Sequence, residues 1–388
     1  KNKIEFLACA DANFGAFKER DLEIIKFLCK IKNRYNWPKI FDTSWHKNSS
    51  EKVLEIAEVA MNAGLLRRFS ASLQSVNKET LTAIKRTNIS TEILLKIMKV
   101  AKEKNIEVGT ELMLPLPLET YKTFLDNIEF CITHNTYMTI SPTGILVNSE
   151  MNKPEYKEKY GLKTLKNKVG NCDHATEYEE IIIETSTMST QQINDLMLLV
   201  YVLNLHDTGF TDLIAKYYHK KFNKKFVDFY DKLWRYFASK DGIISDRIRP
   251  FLNHTTEGTS YQIYTGISVL PMLQDFGEDN RELFYSEIKS FCKDIFKDTK
   301  DIDDLIMLQY NWQNYKRDHN QFHLTCNSNL FEYITEDVMH DHKETTYFCN
   351  NKLPENFKSI GDYIILNRFK RGWKSKIKAV QHSSFVLQ

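Results

Sequence analysis

Ser72-Leu73-Gln74-Ser75, Arg86 and Glu111 are the residues of this 388-residue chain whose types and order point to chemistry. Arginine's planar guanidinium can hold a carboxylate through two parallel hydrogen bonds. Ser70, Ser72 and Gln74 alternate with Phe69, Ala71 and Leu73, so the polar set shares one face at a strand's C-terminal end. Glu111 lies in Gly109-Thr110-Glu111-Leu112-Met113-Leu114, an apolar stretch in which an unpaired buried carboxylate is costly and calls for a partner or a ligand. A proline-rich turn, Pro115-Leu116-Pro117-Leu118-Glu119-Thr120, follows directly. Taken singly, Arg86 reads as a surface helix residue and Gln74 as a turn residue. Taken together, in order along one chain, they read as a ligand-binding set.

The elements that must position these residues follow a rhythm. From Ile4 to Asn148 a short apolar strand, a polar turn and an amphipathic helix recur at a spacing of roughly 30–40 residues, the length of a βαβ unit. Strands are expected to open near Ile4, Lys39, Arg67, Ile106 and Thr136. Ile93, Leu94, Ile97, Met98 and Ala101 form one helical stripe, with Ser90 as its N-cap, and Gly64 stands where a helix begun near Ser50 needs a C-terminal glycine. Alternation of this kind predicts an α/β fold with a parallel sheet, curled by right-handed crossovers toward an open or closed barrel whose ligand groups lie at strand C-terminal ends. The rhythm breaks after Asn152. Residues 151–188 read as a connecting segment, polar at first, with a strand around Ile181-Ile182-Ile183. Residues 189–388 read as a mainly helical, aromatic-rich domain with possible strands in Phe322–Ile334.

Composition bounds the partners. Hydrophobic residues make up 42% and charged residues 27%, ordinary values for a globular protein, and the net charge of +2 sets up no global field for nucleic acid or anionic membrane. No apolar run is long enough to span a bilayer, and no secretory leader pattern opens the chain. Seven scattered cysteines without a C-x-x-C pair argue against a disulfide framework and for small buried residues in a reducing, cytoplasmic setting.

The ordered set of Gln-Ser turn, downstream Arg86, acidic strand residue Glu111 and Pro-rich Glu-Thr turn resembles the radical S-adenosylmethionine (SAM) enzymes over the residues 1–150. The resemblance implies a (β/α)6 TIM-like barrel, here lacking its first βα unit, followed by the helical domain. It implies that Gln74 and Arg86, with Ser72, hold the methionine end of SAM and that Glu111 accepts the ribose hydroxyls. Pro115 stands where the family has a glycine-rich turn against adenine. Asp11 and Asn13, in the turn Asp11-Ala12-Asn13-Phe14-Gly15, correspond to the turn near the methionine ammonium; local capping of the next helix is their alternative role. Asp42 or Ser44 would line the same mouth, Trp45 would wall it, and His46 would be an exposed turn residue. The Asp-x-Asn-Phe-Gly turn looks most like the cobalamin-associated group, in which a cobalamin-binding domain precedes the barrel.

The family's C-x-x-x-C-x-x-C loop, which supplies three thiolates to a 4Fe–4S cluster, has no counterpart in this sequence. Because the chain opens on a strand without a methionine, the ligands are expected upstream of Lys1. The resemblance then implies a 5′-deoxyadenosyl radical used for methyl transfer or rearrangement of a small-molecule or biosynthetic intermediate, with electrons from an external donor. These residues alone would be inactive and would hold no cluster. The alternative is a cluster-free accessory barrel that binds SAM or a partner without catalysis. Asn171-Cys172-Asp173-His174 and His340-Asp341-His342-Glu344 carry metal-ligand types, the latter reading foremost as a solvated charged turn. Phe222, Phe226, Tyr230, Leu233 and Phe237 recur at helical spacing and read as a core face, with Lys220, Lys221, Lys224 and Lys225 in water.

Overall fold

The computed structural model describes residues 4–46, 51–66, 68–104, 106–172, 175–252, 275–296, 300–318, 322–336, 338–349 and 378–381. The chain divides into two compact units, with the boundary between Ile193 and Asn194.

In the first unit five strands appear close to the expected openings: β1 (Phe6–Phe14), β2 (Ile40–Trp45), β3 (Arg68–Gln74), β4 (Glu107–Leu114) and β5 (Tyr137–Pro142). Helices separate them: α1 (Lys18–Tyr35), α2 (Glu51–Asn62), α3 (Lys78–Ala83), α4 (Thr91–Glu103) and α5 (Tyr121–Thr133). Local chemistry sets the ends. The Ser90 side chain accepts from the Ile93 amide at the start of α4, and Thr120 forms a capping box with Thr123 at the start of α5. Gly64, at φ +64°, closes α2: its amide donates to Met61 O and that of Leu65 to Ala60 O.

All pairings among these strands are parallel, but they form a two-stranded sheet β1–β2 and a three-stranded sheet β3–β4–β5, with no closed barrel among the described residues. This corrects the expectation of a single curled sheet. Between β2 and β3 the link is a backbone bond, Phe41 N to Leu65 O at 2.8 Å, with side-chain packing in place of a continuous ladder. Trp45 packs its ring against Phe69 at 5.2 Å and Phe14 at 5.9 Å. Alternation explains the layering. Phe41, Trp45, Phe69, Leu73, Val108 and Leu112 face a buried core with Val53, Ile56, Leu94 and Ile97 from the helices. The opposite strand face carries Ser44, Ser70, Ser72, Gln74, Gly109, Glu111 and Thr139 and is polar.

Residues 151–188 hold more order than a connector. After β6 (Gly144–Ile145) and α6 (Pro154–Tyr160), the long strands β7 (Lys163–Cys172) and β8 (Ala175–Glu184) form an antiparallel sheet of order β6–β8–β7. β7 has few apolar residues, because an antiparallel sheet can leave one face to water.

The second unit is mainly helical: α7 (Thr190–Asp207, crossing the boundary), α8 (Asp212–Phe222), α9 (Phe226–Ala238), α10 (Ile243–Leu252), α11 (Arg281–Ile295), α12 (Ile302–Asp318) and α13 (Leu330–Thr335). The expected aromatic face is present but split over two helices, with Asn223 in a left-handed turn between α8 and α9; Phe226, Tyr230, Leu233 and Phe237 are buried. Strands β9 (Phe322–Cys326), β10 (Thr345–Cys349) and β11 (Lys378–Gln381) make a small antiparallel sheet, so Phe322–Ile334 is part strand and part helix. No helix among the described residues is long and apolar enough to cross a membrane.

Candidate functional site

The C-terminal end of β3 is the best-braced point of the first unit. Gln74 adopts φ +61°, a left-handed conformation unusual for a residue with a side chain. Two side chains clamp this turn. Arg86 Nη2 donates to Ser72 O, and Asn88 Nδ2 donates to both Leu73 O (2.8 Å) and Ser75 O (2.9 Å). Arg86 Nε donates to Asn88 Oδ1 at 2.9 Å, which aligns the two clamps. Arg86 therefore sits in a tight turn just beyond α3, against the strand end. Its half-burial lowers the guanidinium pKa, and the Glu111 carboxylate opposes that shift. Nη1 makes no hydrogen bond among the described residues.

Beneath the turn lies a buried carboxyl group that sequence reasoning left without a role. Glu119 is fully buried; its Oε1 accepts from Ser75 Oγ at 2.8 Å and from Asn127 Nδ2 at 2.6 Å. Asn127 Oδ1 accepts from the Val76 amide at 2.9 Å. The network joins the Gln-Ser turn, the Pro-rich turn and α5. Burial pushes the Glu119 carboxyl up to about 7, against the lowering effect of Ser75 and Asn127. Its place in the Glu-Thr pair before a helix N-cap was the available signal.

A cavity of ≈ 490 Å³ opens over these strand ends. Asn13, Gln74 and Arg86 line it, with Met113 and Leu116 as apolar wall and His46, Thr143 and Tyr156 as further polar groups. Glu111 does not line the cavity. It is two residues before Met113 on the same strand face, and its Oε2 accepts from Ser72 Oγ at 3.1 Å. It is exposed, so the burial cost that singled it out in the sequence is not incurred; the open sheet face lets water reach it.

The remaining candidates lie elsewhere. Asp11 accepts from the Asn13 amide at 2.9 Å and from Arg20 Nη2 at 2.8 Å, local contacts that hold its pKa down but do not cap α1, the alternative role named for it. Ser44 is exposed on β2 and Pro115 is buried in its turn; neither lines the cavity. Trp45 is buried in the core, because it shares strand parity with Phe41; it walls no mouth. His46, expected as an exposed turn residue, is half-buried at the cavity, and its Nδ1 has no hydrogen-bond partner among the described residues. His174 and Asp173 lie outside the described residues.

The chain matches no family model. Over 248 residues it is 31% identical to the 2-(S-pantetheinyl)-carbapenam-3-carboxylate methyltransferase of Streptantibioticus cattleyicolor. Over the same length it is 29% identical to the cobalamin-dependent radical SAM methyltransferase TokK of Streptomyces tokunonensis. Each match covers 62% of this chain and 36% of the relative, so the chain spans about a third of the length of the curated relatives it matches. These two similarities bear out the resemblance read from the sequence.

Proposed function

From the chain's kinship with cobalamin-dependent radical SAM methyltransferases, we propose that its first unit carries the SAM-binding surface of such an enzyme, acting in methyl transfer. The observation that carries the reading is the convergence of Gln74, Arg86 and Asn13 on one cavity at parallel strand ends, with Glu111 on the adjoining strand face. The residues fit the group. The cavity is within the usual range for a ligand of this size, roughly 300–1,000 Å³. Arg86 has Nη1 unspent for a carboxylate, and its partial desolvation strengthens a charge-assisted bond. Glu111 has one oxygen engaged by Ser72 and can accept from a ribose diol with the other. Met113 and Leu116 offer apolar surface to a base.

When bound, SAM supplies the sulfonium chemistry of the family. The cluster and cobalamin belong to the same proposal through the relatives, and no residue here is assigned to them. The chain's own residues bind and orient: Arg86 holds the carboxylate, Gln74 and Asn13 offer polar contacts beside it, Glu111 fixes the ribose, and the buried side of the sheet keeps these groups in register.

The test is titration calorimetry with SAM on wild type, Glu111→Ala and Arg86→Ala, alongside melting temperature. Losing a charged hydrogen bond costs about 1.5–3 kcal/mol, so each variant is expected to bind roughly 10–100-fold more weakly. Glu111→Ala should melt as wild type does, since the carboxylate is exposed. Unchanged affinity in Glu111→Ala refutes the assignment.

A further inference from the structure

A second cluster of ligand-type side chains lies in the helical unit. Asp301, immediately before α12, His340 and His342 each bring one ligand atom within 4.8 Å of the others. Three atoms so spaced have a common point no more than about 2.8 Å from each, against roughly 2.0–2.2 Å for zinc bonds to histidine and carboxylate, so a shift of less than an ångström closes the set. We propose that Asp301, His340 and His342 bind a divalent transition-metal ion of the zinc type, which ties the segment 338–343 to α8 and α12.

The surroundings are built for such a role. Asp301 is buried, and Tyr217 Oη donates to its Oδ2 at 2.7 Å, which orients the carboxylate as an outer partner orients a metal ligand. His340 is nearly buried and its Nε2 lies 3.4 Å from Asp301 Oδ2. The backbone on either side of His340 is anchored: Lys220 Nζ donates to Glu336 O at 2.6 Å, Asn329 Nδ2 donates to Met339 O at 2.9 Å, and the Asp341 amide donates to Asn329 Oδ1 at 2.7 Å. His342 is exposed, which leaves a path for entry and a fourth position for water.

The competing occupant is Lys221, whose Nζ lies 3.9 Å from Asp301 Oδ2 and 3.4 Å from His340 Nδ1. Its long stem lets the ammonium swing out to water when the ion enters. The two accounts make opposite forecasts. With a metal site, wild type binds the ion and removing the competing cation keeps or tightens binding; with lysine as the site's own cation, wild type binds none.

The experiment is titration of Co²⁺, followed by its visible absorption, and of Zn²⁺, followed by calorimetry, into wild type, His342→Ala and Lys221→Met. One equivalent is expected in wild type, with affinity at least roughly 10–100-fold lower in His342→Ala, since losing an outer partner of a ligand alone costs that much and His342 is a ligand itself. Zinc should raise the melting temperature of wild type and of Lys221→Met, and at the same concentration raise that of His342→Ala less. His342 is exposed, so its replacement leaves folding intact. Absence of stoichiometric binding in wild type, or equal binding in wild type and His342→Ala, overturns the site.

Discussion

Glu119→Gln should abolish a pH-dependent weakness at the centre of the first unit. The folded-state pKa of Glu119 is raised from 4.5 to about 7 by burial. An acid whose pKa rises on folding is bound to its proton more tightly in the native state. Below about pH 4.5 both states are protonated and the shift contributes nothing; between about pH 4.5 and pH 7 the unfolded state ionises while the native state keeps its proton, so stability falls, and above about pH 7 both states are ionised and the loss levels off. The shift is about 2.5 units, and at 1.36 kcal/mol per unit the loss approaches about 3 kcal/mol above pH 8, to order of magnitude. Glutamine keeps an oxygen for Ser75 Oγ and Asn127 Nδ2 and places a neutral group where Oε2 has no hydrogen-bond partner. The neutral acid also leaves an unaccepted proton there, so the two forms should be close in stability at pH 5. Urea unfolding of both proteins at pH 5, 6, 7 and 8 tests this, because every other titrating group cancels in the difference. The variant should match wild type at pH 5 and exceed it by about 2–3 kcal/mol at pH 8. A difference that does not vary with pH refutes the reasoning and means that Glu119 is not a buried titrating group.

Two further perturbations probe the turn after β1. Asp21, fully buried, accepts from the amides of Gly15 (2.7 Å) and Phe17 (3.2 Å) and from Arg20 Nε (2.7 Å); Asp21→Ala strands two backbone donors and should cost about 3 kcal/mol in urea unfolding, with an unchanged midpoint counting against this role. Gly15 sits at φ +97°, and an added Cβ would meet Val53 Cγ2 at 2.9 Å, so Gly15→Ala should cost about 1–3 kcal/mol. Adding Val53→Ala should recover the contact part and leave the backbone part, so the double variant should lose less than the two single losses together.

The strand–helix rhythm was legible because parallel strands packed against helices bury one face and must repeat their pattern. The openings expected at Lys39, Arg67, Ile106 and Thr136 fall within one residue of β2, β3, β4 and β5, and Ser90 and Gly64 cap helices as their chemistry requires. Sheet closure was not legible, since hydrogen bonding between β2 and β3 depends on how neighbouring elements pack. Glu111 was read as buried because its sequence neighbours are apolar. Period-two alternation puts Leu112 and Leu114 on the other face, and the exposure of Glu111 depends on what covers the open side. The same parity could have assigned Trp45 to the core beside Phe41. Asp21 reads in the sequence like any acidic residue in a first helical turn, and only the fold of the turn between β1 and α1 brings the Gly15 and Phe17 amides to it.

The organisation of the β3 end carries a functional argument beyond the identity of its residues. A left-handed Gln74 is a conformation glycine would adopt at little cost, whereas a side chain there costs on the order of 1–2 kcal/mol. The structure holds it with Arg86 on Ser72 O, Asn88 on Leu73 O and Ser75 O, and Asn127 on the Val76 amide. Every backbone group so clamped lies at the strand end or in the turn that follows it, and the clamping side chains come from two separate stretches of chain, Arg86 with Asn88 and, far along the sequence, Asn127. A turn needed only to reverse direction requires no such bracing. A turn required to present an amide side chain at a fixed angle to a cavity does, because a ligand bound by several groups at once loses affinity when any one of them is loose. Arg86 serves both ends of this arrangement, bracing the turn through Nη2 and facing the cavity. On the proposed reading, ligand binding at the guanidinium and the geometry of Gln74 are therefore mechanically one unit, set by the packing beneath the strands before a ligand arrives.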